Sequence, residues 1–166
     1  MLRRISGILM LSVMLTISGL QAQQKRSLTH DDYDGWENLS SDRITKNGIW
    51  VGYIISPQDG DGRLEILPFK DVSKKFVIPR AQGWNFTPDD TYAVGKIVPQ
   101  EDSIRFLKLK KTKNDDMPKD SLFIYEMKTG KLEKMAEVKS FAIPEKGGSW
   151  IAIQFEKEKP AKKDPA

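Results

Sequence analysis

Three stretches decide how this chain folds: Ile44-Thr-Lys-Asn-Gly-Ile-Trp-Val-Gly-Tyr53, Phe86-Thr-Pro-Asp-Asp-Thr-Tyr-Ala-Val-Gly95 and Ile143-Pro-Glu-Lys-Gly-Gly-Ser-Trp-Ile-Ala152. Each begins with an apolar residue, passes through a polar turn built on Asn, Asp or Gly, and reaches an aromatic residue that opens an apolar strand. The aromatics are Trp50, Tyr92 and Trp150, spaced by 42 and then 58 residues. The third copy carries one extra residue in its turn, and the longer interval holds the charged stretch Lys108–Asp120. A period near 42 matches the roughly 40–45 residues of a four-stranded propeller blade. In such a blade the tight turn reverses the chain, the next strand enters the buried layers, and the aromatic at its mouth packs against the neighbouring blade. The expectation is a mainly β fold, an incomplete β-propeller of about three blades over residues 44–155. A sandwich or an irregular β domain remains open, because the turn-plus-aromatic pattern serves those folds too.

Around these stretches the punctuation is that of strands and turns. Ile49–Ile55 is rich in aromatic and β-branched residues and follows the turn dipeptide Asn47-Gly48. The turn cluster Gln58–Gly62 precedes a short strand at Arg63–Leu67, and Phe76–Ile78 reads as a strand closed by Pro79. Thr91–Val98 and Ser103–Leu109 read as two more. The second alternates through Ile104 and Phe106, then falls out of phase at Leu107 and Leu109. Lys108–Asp120, with five lysines and three aspartates, reads as a solvated loop or a frayed helix. Leu122–Met127 and Lys131–Met135 flank the turn Thr129-Gly130 as a hairpin, and Val138–Ile143 and Ser149–Phe155 supply the last strands. Before the blades, residues 23–43 form a polar segment with Tyr33, Trp36 and the acids Asp31, Asp32, Asp34 and Glu37, read as a short helix or a strap. Residues 156–166 are Lys/Pro-rich and read as a disordered tail.

The chain has 166 residues, no cysteine and one histidine. That composition excludes a disulfide framework, a thiol nucleophile, a cysteine zinc site and a multi-histidine metal centre. A formal charge of +4 invites a nucleic-acid reading, but its placement argues otherwise. Arg3 and Arg4 open a segment that runs apolar from Ile5 to Leu20 and exits through Gln21-Ala22-Gln23, the three parts of a secretory signal peptide. Residues 1–22 hold two arginines and no acid, so beyond Ala22 the charge falls to +2. An uncleaved anchor competes with this reading, but the sixteen residues from Ile5 to Leu20 rise only about 24 Å against a hydrocarbon core of about 30 Å. The expected destination is the periplasm or the extracellular space, with no membrane attachment after cleavage. The lysine run at 108–113 lacks interleaved aromatics and meets Asp115 and Asp116 at once, so no nucleic-acid partner is expected.

Longer strings resemble a known family. They are Leu28-Thr-His-Asp-Asp-Tyr-Asp-Gly-Trp36, the stretch 44–53 and Pro57-Gln-Asp-Gly-Asp-Gly-Arg-Leu64. Ile78-Pro-Arg80, Met117-Pro-Lys-Asp-Ser-Leu122, the Tyr125–Gly130 hairpin and Pro144-Glu-Lys-Gly-Gly-Ser-Trp150 extend the match. Together they resemble the start of secreted bacterial prolyl oligopeptidase family serine peptidases, over nearly all of residues 28–155. The resemblance implies an N-terminal β-propeller that, in an intact relative, caps an α/β-hydrolase domain and restricts which peptides reach its serine. No part of this sequence matches the hydrolase domain, so no catalytic residue is carried over.

The remaining candidates for chemistry are weak. A hydrolase nucleophile needs G-x-S-x-G on a strand-to-helix turn. The nearest string, Gly147-Gly-Ser-Trp-Ile151, ends in Ile and lies at a repeat turn. His30 precedes the first blade and reads as a surface or hydrogen-bonded histidine rather than a base. Asp59-Gly-Asp-Gly62 begins like a calcium loop, but Arg63 and Leu64 stand where further ligands belong. Asp31, Asp32 and Asp34 read as solvated acids. The sequons Asn38-Leu-Ser40 and Asn85-Phe-Thr87 matter only on a eukaryotic secretory route. No catalytic residue, cofactor or metal is expected. The expected function is that of a non-catalytic N-terminal propeller fragment, inactive alone, that meets a peptide, a protein partner or a second copy through exposed blade faces. The alternative is a self-sufficient secreted β-rich protein-binding module without peptidase ancestry.

Overall fold

The computed structural model describes residues 26–33, 35–147 and 150–157, with Asp31 described by its backbone alone. The expected signal segment 1–22, Asp34, Ser149 and residues 158–166 of the expected tail lie outside them. The chain divides into two compact units. In the first, which ends at Asp32, the described residues form a 3₁₀ turn at His30–Asp32. The Asp32 carboxylate there pairs with Arg26 and accepts the Thr29 amide at 2.7 Å.

The second unit, Tyr33–Ala166, is built from antiparallel sheets in which each strand pairs with its neighbour in sequence. The first sheet has four strands in the order β1 (Glu37–Ile44), β2 (Trp50–Pro57), β3 (Arg63–Pro68) and β4 (Phe76–Pro79). The second repeats the plan with β5 (Ala81–Phe86), β6 (Tyr92–Ile97), β7 (Ser121–Glu126) and β8 (Leu132–Met135). The third pairs β9 (Val138–Ala142) with β10 (Ala152–Phe155). Seven of these strands, β2–β4 and β6–β9, lie where turn residues and apolar patterning place them, and β10 occupies the later part of its expected span.

Three elements differ from the sequence reading, each for a visible reason. β1 lies inside the polar segment 23–43, read as a short helix or strap. It is an edge strand exposed along nearly all its length, so it carries no alternation to read, and a bulge between Ser40 and Arg43 breaks its register. β5 escapes a period-2 search because its register shifts between Gln82 and Asn85, with Gly83 at φ +55°. That shift leaves Ala81, Trp84 and Phe86 buried at unequal spacing. Residues 103–109, expected as a strand, belong instead to a helix, α1 (Glu101–Leu109), with no buried residue. Its acids Glu101 and Asp102 sit in the first turn and Lys108 in the last, the arrangement the helix dipole favours. Arg105 bonds back to Glu101 at 3.1 Å, one turn away. The out-of-phase Leu107 was a helical signal.

Most of the core lies in the seam between the first two sheets. Ile54, Leu64, Ile66 and Ile78 of the first sheet meet Trp84, Phe86, Ala93 and Phe123 of the second. Two glycines make room for Trp84. A Cβ on Gly52 would collide with the tip of its indole, and one on Gly95 would stand 2.5 Å from its Cβ and 2.7 Å from the Phe123 ring. A smaller cluster, centred on Val94, Leu122 and Val138, joins the second sheet to the third.

Candidate functional site: the repeated turns and the open seam

The turn between the first two strands of each sheet is where the repeat becomes physical. In the first, the Thr45 amide donates to the Trp50 carbonyl at 3.0 Å, and the Trp50 amide returns a bond to the Thr45 hydroxyl at 2.9 Å. In the second, the Thr87 amide donates to the Tyr92 carbonyl at 2.8 Å and the Tyr92 amide to the Thr87 hydroxyl at 3.0 Å. Both threonines are buried, 2% and 7% exposed, and each hydroxyl is satisfied by its bond to the backbone across the turn. The third turn has Pro144 at that position. Three residues further on, Gly48, Asp90 and Gly147 all adopt left-handed backbone, at φ +67°, +57° and +58°.

Asp90 is the exception among the three, a side chain where glycine is favoured. Its carboxylate accepts the Lys46 amide at 2.9 Å and the Asn47 amide at 2.8 Å, tying the second turn to the first. Sequence reading treated it as a generic turn residue. In the second turn Pro88 replaces Lys46 and offers no amide, and Gly147 in the third turn offers no carboxylate.

The two acids of the Asp59-Gly-Asp-Gly62 turn have structural partners. Asp61 accepts the Glu101 amide at 2.9 Å and Asp59 accepts Arg105 at 2.6 Å, so the Asp-Gly-Asp-Gly turn seats the start of α1. The Arg105 guanidinium holds the Asp59 carboxyl below the usual range. Sequence reading missed Glu65, which is buried between Arg63 (2.8 Å), Lys75 (3.0 Å) and the Tyr53 hydroxyl (3.1 Å). Burial pushes its carboxyl up, but those three partners more than reverse the effect and leave it below the ordinary glutamate range. Glu37 extends the network through Arg63 at 2.6 Å.

The three repeat aromatics take different surroundings. Trp50 packs against the first seam and Tyr92 against the second. Trp150 is 61% exposed. It lines a groove of about 420 Å³ with Tyr92, Ile124, Ile151 and Ile153. The charged lining is Asp89, Glu126, Glu133 and Lys131. Among the described residues the third sheet covers only part of the second. On the face turned to it, Val94 and Leu122 are sealed, whereas Ile124 and Tyr92 are half-buried. Ser149 lies outside the described residues, so the one serine of the nearest nucleophile-like string has no described position.

Sequential four-stranded antiparallel sheets, packed face to face and rebuilt on one turn, are propeller blades. Among the described residues the fold is two full blades and two strands of a third. No protein-family model matches the chain. No curated protein matches it either. Among solved structures it is similar to an acylaminoacyl peptidase in complex with Z-Gly-Gly-Phe-chloromethyl ketone, at 17% identity and TM-score 0.45, covering 65% of this chain and 15% of that one. It is similar to Pyrococcus horikoshii acylaminoacyl peptidase at 13% identity and TM-score 0.46, over 67% of this chain and 16% of that one. It is also similar to the β-propeller domain of the Trilobed protease from Pyrococcus furiosus, at 14% identity and TM-score 0.43, over 64% and 31%. This chain therefore spans less than a third of each of these proteins.

Proposed function

We propose that this chain is an exported, non-catalytic blade module that holds peptide segments, a role related to the gating or positioning of peptide substrate by the propeller of a prolyl oligopeptidase-like serine peptidase. The observation that carries the reading is the open second seam. A groove with two aromatic residues, Tyr92 and Trp150, runs beside a strand pair on a stack of blades. Such a site suits an extended chain. The sequence resemblance over residues 28–155 supports the same role.

The test is to incubate the purified chain with a panel of labelled peptides, following binding by fluorescence anisotropy and integrity by mass spectrometry. Peptides should bind and remain intact. Cleavage that disappears in Ser149→Ala would overturn the non-catalytic role. A panel in which no peptide binds would overturn the holding role. Export is tested separately, by N-terminal sequencing of the protein recovered from the cell envelope or medium, which should begin at Gln23.

A further inference from the structure

Within the reading of the chain as a peptide-holding module, we infer that the groove beside β10 takes an extended peptide alternating basic and apolar side chains, added as a strand to the free edge of β10. The backbone argument comes from the repeat. In the first sheet the second strand, β2, pairs on one side with β1 and on the other with β3, from Trp50↔Pro68 to Ile55↔Arg63. In the second sheet β6 is likewise flanked by β5 and β7. β10 holds the same place in the third sheet, and among the described residues it pairs with β9 alone. Among the described residues, one edge of β10 thus offers unpaired amides and carbonyls where both earlier sheets have a third strand.

The side-chain argument comes from the face opposite. A strand added beside β10 lies over the part of β7 and β8 that the third sheet leaves open. Alternate residues of β7 on that face run from the sealed Leu122 through the half-buried Ile124 to Glu126, and Glu133 stands directly across from Ile124 on β8. Apolar side chains of the incoming strand would meet Ile124 and Ile153, completing the second cluster.

Charge chooses the rest of the occupant. The groove has three carboxylates against one lysine, and Lys131 is bonded to Glu133 at 2.5 Å. Among the described residues Asp89 and Glu126 have no ion pair: Asp89 accepts the Thr91 amide and Glu126 the Thr129 hydroxyl. The Thr87 hydroxyl and the Thr91 amide keep the Asp89 carboxyl below the usual range, so its charge persists well into mild acid. The exposed Trp150 ring adds a face on which a guanidinium or ammonium group can rest. An acidic strand would meet repulsion at these positions, and a wholly apolar one would bury two carboxylates with no cation beside them.

The probes are fluorescein-labelled Arg-Val-Arg-Val-Arg-Val and its Glu-Val-Glu-Val-Glu-Val counterpart, titrated into the full purified chain. The basic peptide should bind at least tenfold more tightly than the acidic one. Asp89→Asn with Glu126→Gln, and separately Trp150→Ala, should each weaken it at least fivefold without moving the thermal transition by more than a few degrees. Lys70→Ala, remote from the groove, should change nothing. Hydrogen exchange at the β10 amides should slow on binding, which side-chain docking without strand addition would not produce. Equal binding of both peptides, indifference to the groove variants, or unchanged β10 exchange overturns this inference, and intact peptide binding elsewhere would still leave the holding role in place. Deletion of residues 158–166 should leave the affinity unchanged. A tenfold gain on deletion would make the chain's own terminus the occupant and would also overturn it.

Discussion

Asp90 couples two adjacent turns through a carboxylate that would be unnecessary in either turn alone. It accepts two backbone amides of the first turn from a left-handed position in the second. Asp90→Ala keeps the backbone strain and loses both bonds, and should destabilise the chain by about 1–3 kcal/mol in urea unfolding. Asp90→Gly loses the same bonds but relaxes the left-handed backbone, so it should recover about 1 kcal/mol of that loss. If Ala and Gly prove equal, strain at Asp90 is not a factor. The left-handed position was legible in the sequence, since Gly48 and Gly147 occupy it in the other copies. The carboxylate's reach was not, because it requires knowing which turns stack side by side. Glu65 was hidden for a similar reason. An acid between Leu64 and Ile66 reads as the solvent face of a strand, and only the arrival of Lys75 and Tyr53 turns that face into a buried ion network. Its lowered carboxyl contributes stability that is present above the unfolded glutamate pKa of about 4.3 and is lost as pH falls through the lower folded value. Glu65→Gln should therefore lose about 1–3 kcal/mol near neutral pH and show a shallower loss of stability below pH of about 4. A variant with an unchanged acid limb would show that Glu65 does not drive it.

Between the first two sheets, what matters is how Trp84 of β5 fits into a slot cut by glycines in β2 and β6. The two glycines meet different parts of the residue, and that difference makes a sharp test. Gly52 faces the outer atoms of the indole, whereas Gly95 faces Cβ of Trp84 and the Phe123 ring. Both Gly52→Ala and Gly95→Ala should overpack the seam and lose about 1–3 kcal/mol. Trp84→Phe withdraws the indole tip and leaves Cβ in place. It should therefore rescue Gly52→Ala in a double-mutant cycle and leave Gly95→Ala uncorrected. Among the described residues the Trp84 indole nitrogen has no hydrogen-bond partner, so Trp84→Phe also removes a buried unpaired donor and should cost less than its lost volume suggests. Rescue of both glycine variants, or of neither, would mean that the slot is not set by the indole. Elements with clean alternation, such as β2 and β7, could be read directly from residue order. β1, β5 and α1 could not. β1 is exposed on both faces, β5 is bulged, and α1 is held by charges and by the Asp59–Gly62 turn rather than by an apolar stripe.

Taken as one body, Tyr33–Ala166 has two seams of unequal quality, and this sets how it opens. The first is sealed along the sheets, with Leu64, Ile66, Ile78, Ala93 and Phe123 all at 0% exposure. The second is sealed only around Val94, Leu122 and Val138, and its other members, among them Tyr92, Ile124 and Ile153, are partly buried. Local opening free energy follows buried apolar contact, so the first two sheets should unfold together while β9 and β10 open on their own at lower free energy. Native-state hydrogen exchange on the purified chain measures both. Phe123→Ala should lower protection throughout β2, β3, β6 and β7 by about 3–5 kcal/mol, because it empties the shared seam. Val138→Ala removes about two methylene equivalents, roughly 2 kcal/mol, and should speed exchange in β9 and β10 while the first two sheets keep their protection. Equal loss across all three sheets would mean that the second seam is as cooperative as the first. The repeat period announced that sheets of this kind would follow one another, but not that the last seam would be half closed. That depends on how many strands cover a face, which no single stretch of residues encodes. A ligand that covers Ile124 and pairs with β10 would complete the weaker seam, so binding should bring the opening free energy of β9 and β10 towards that of the first two sheets.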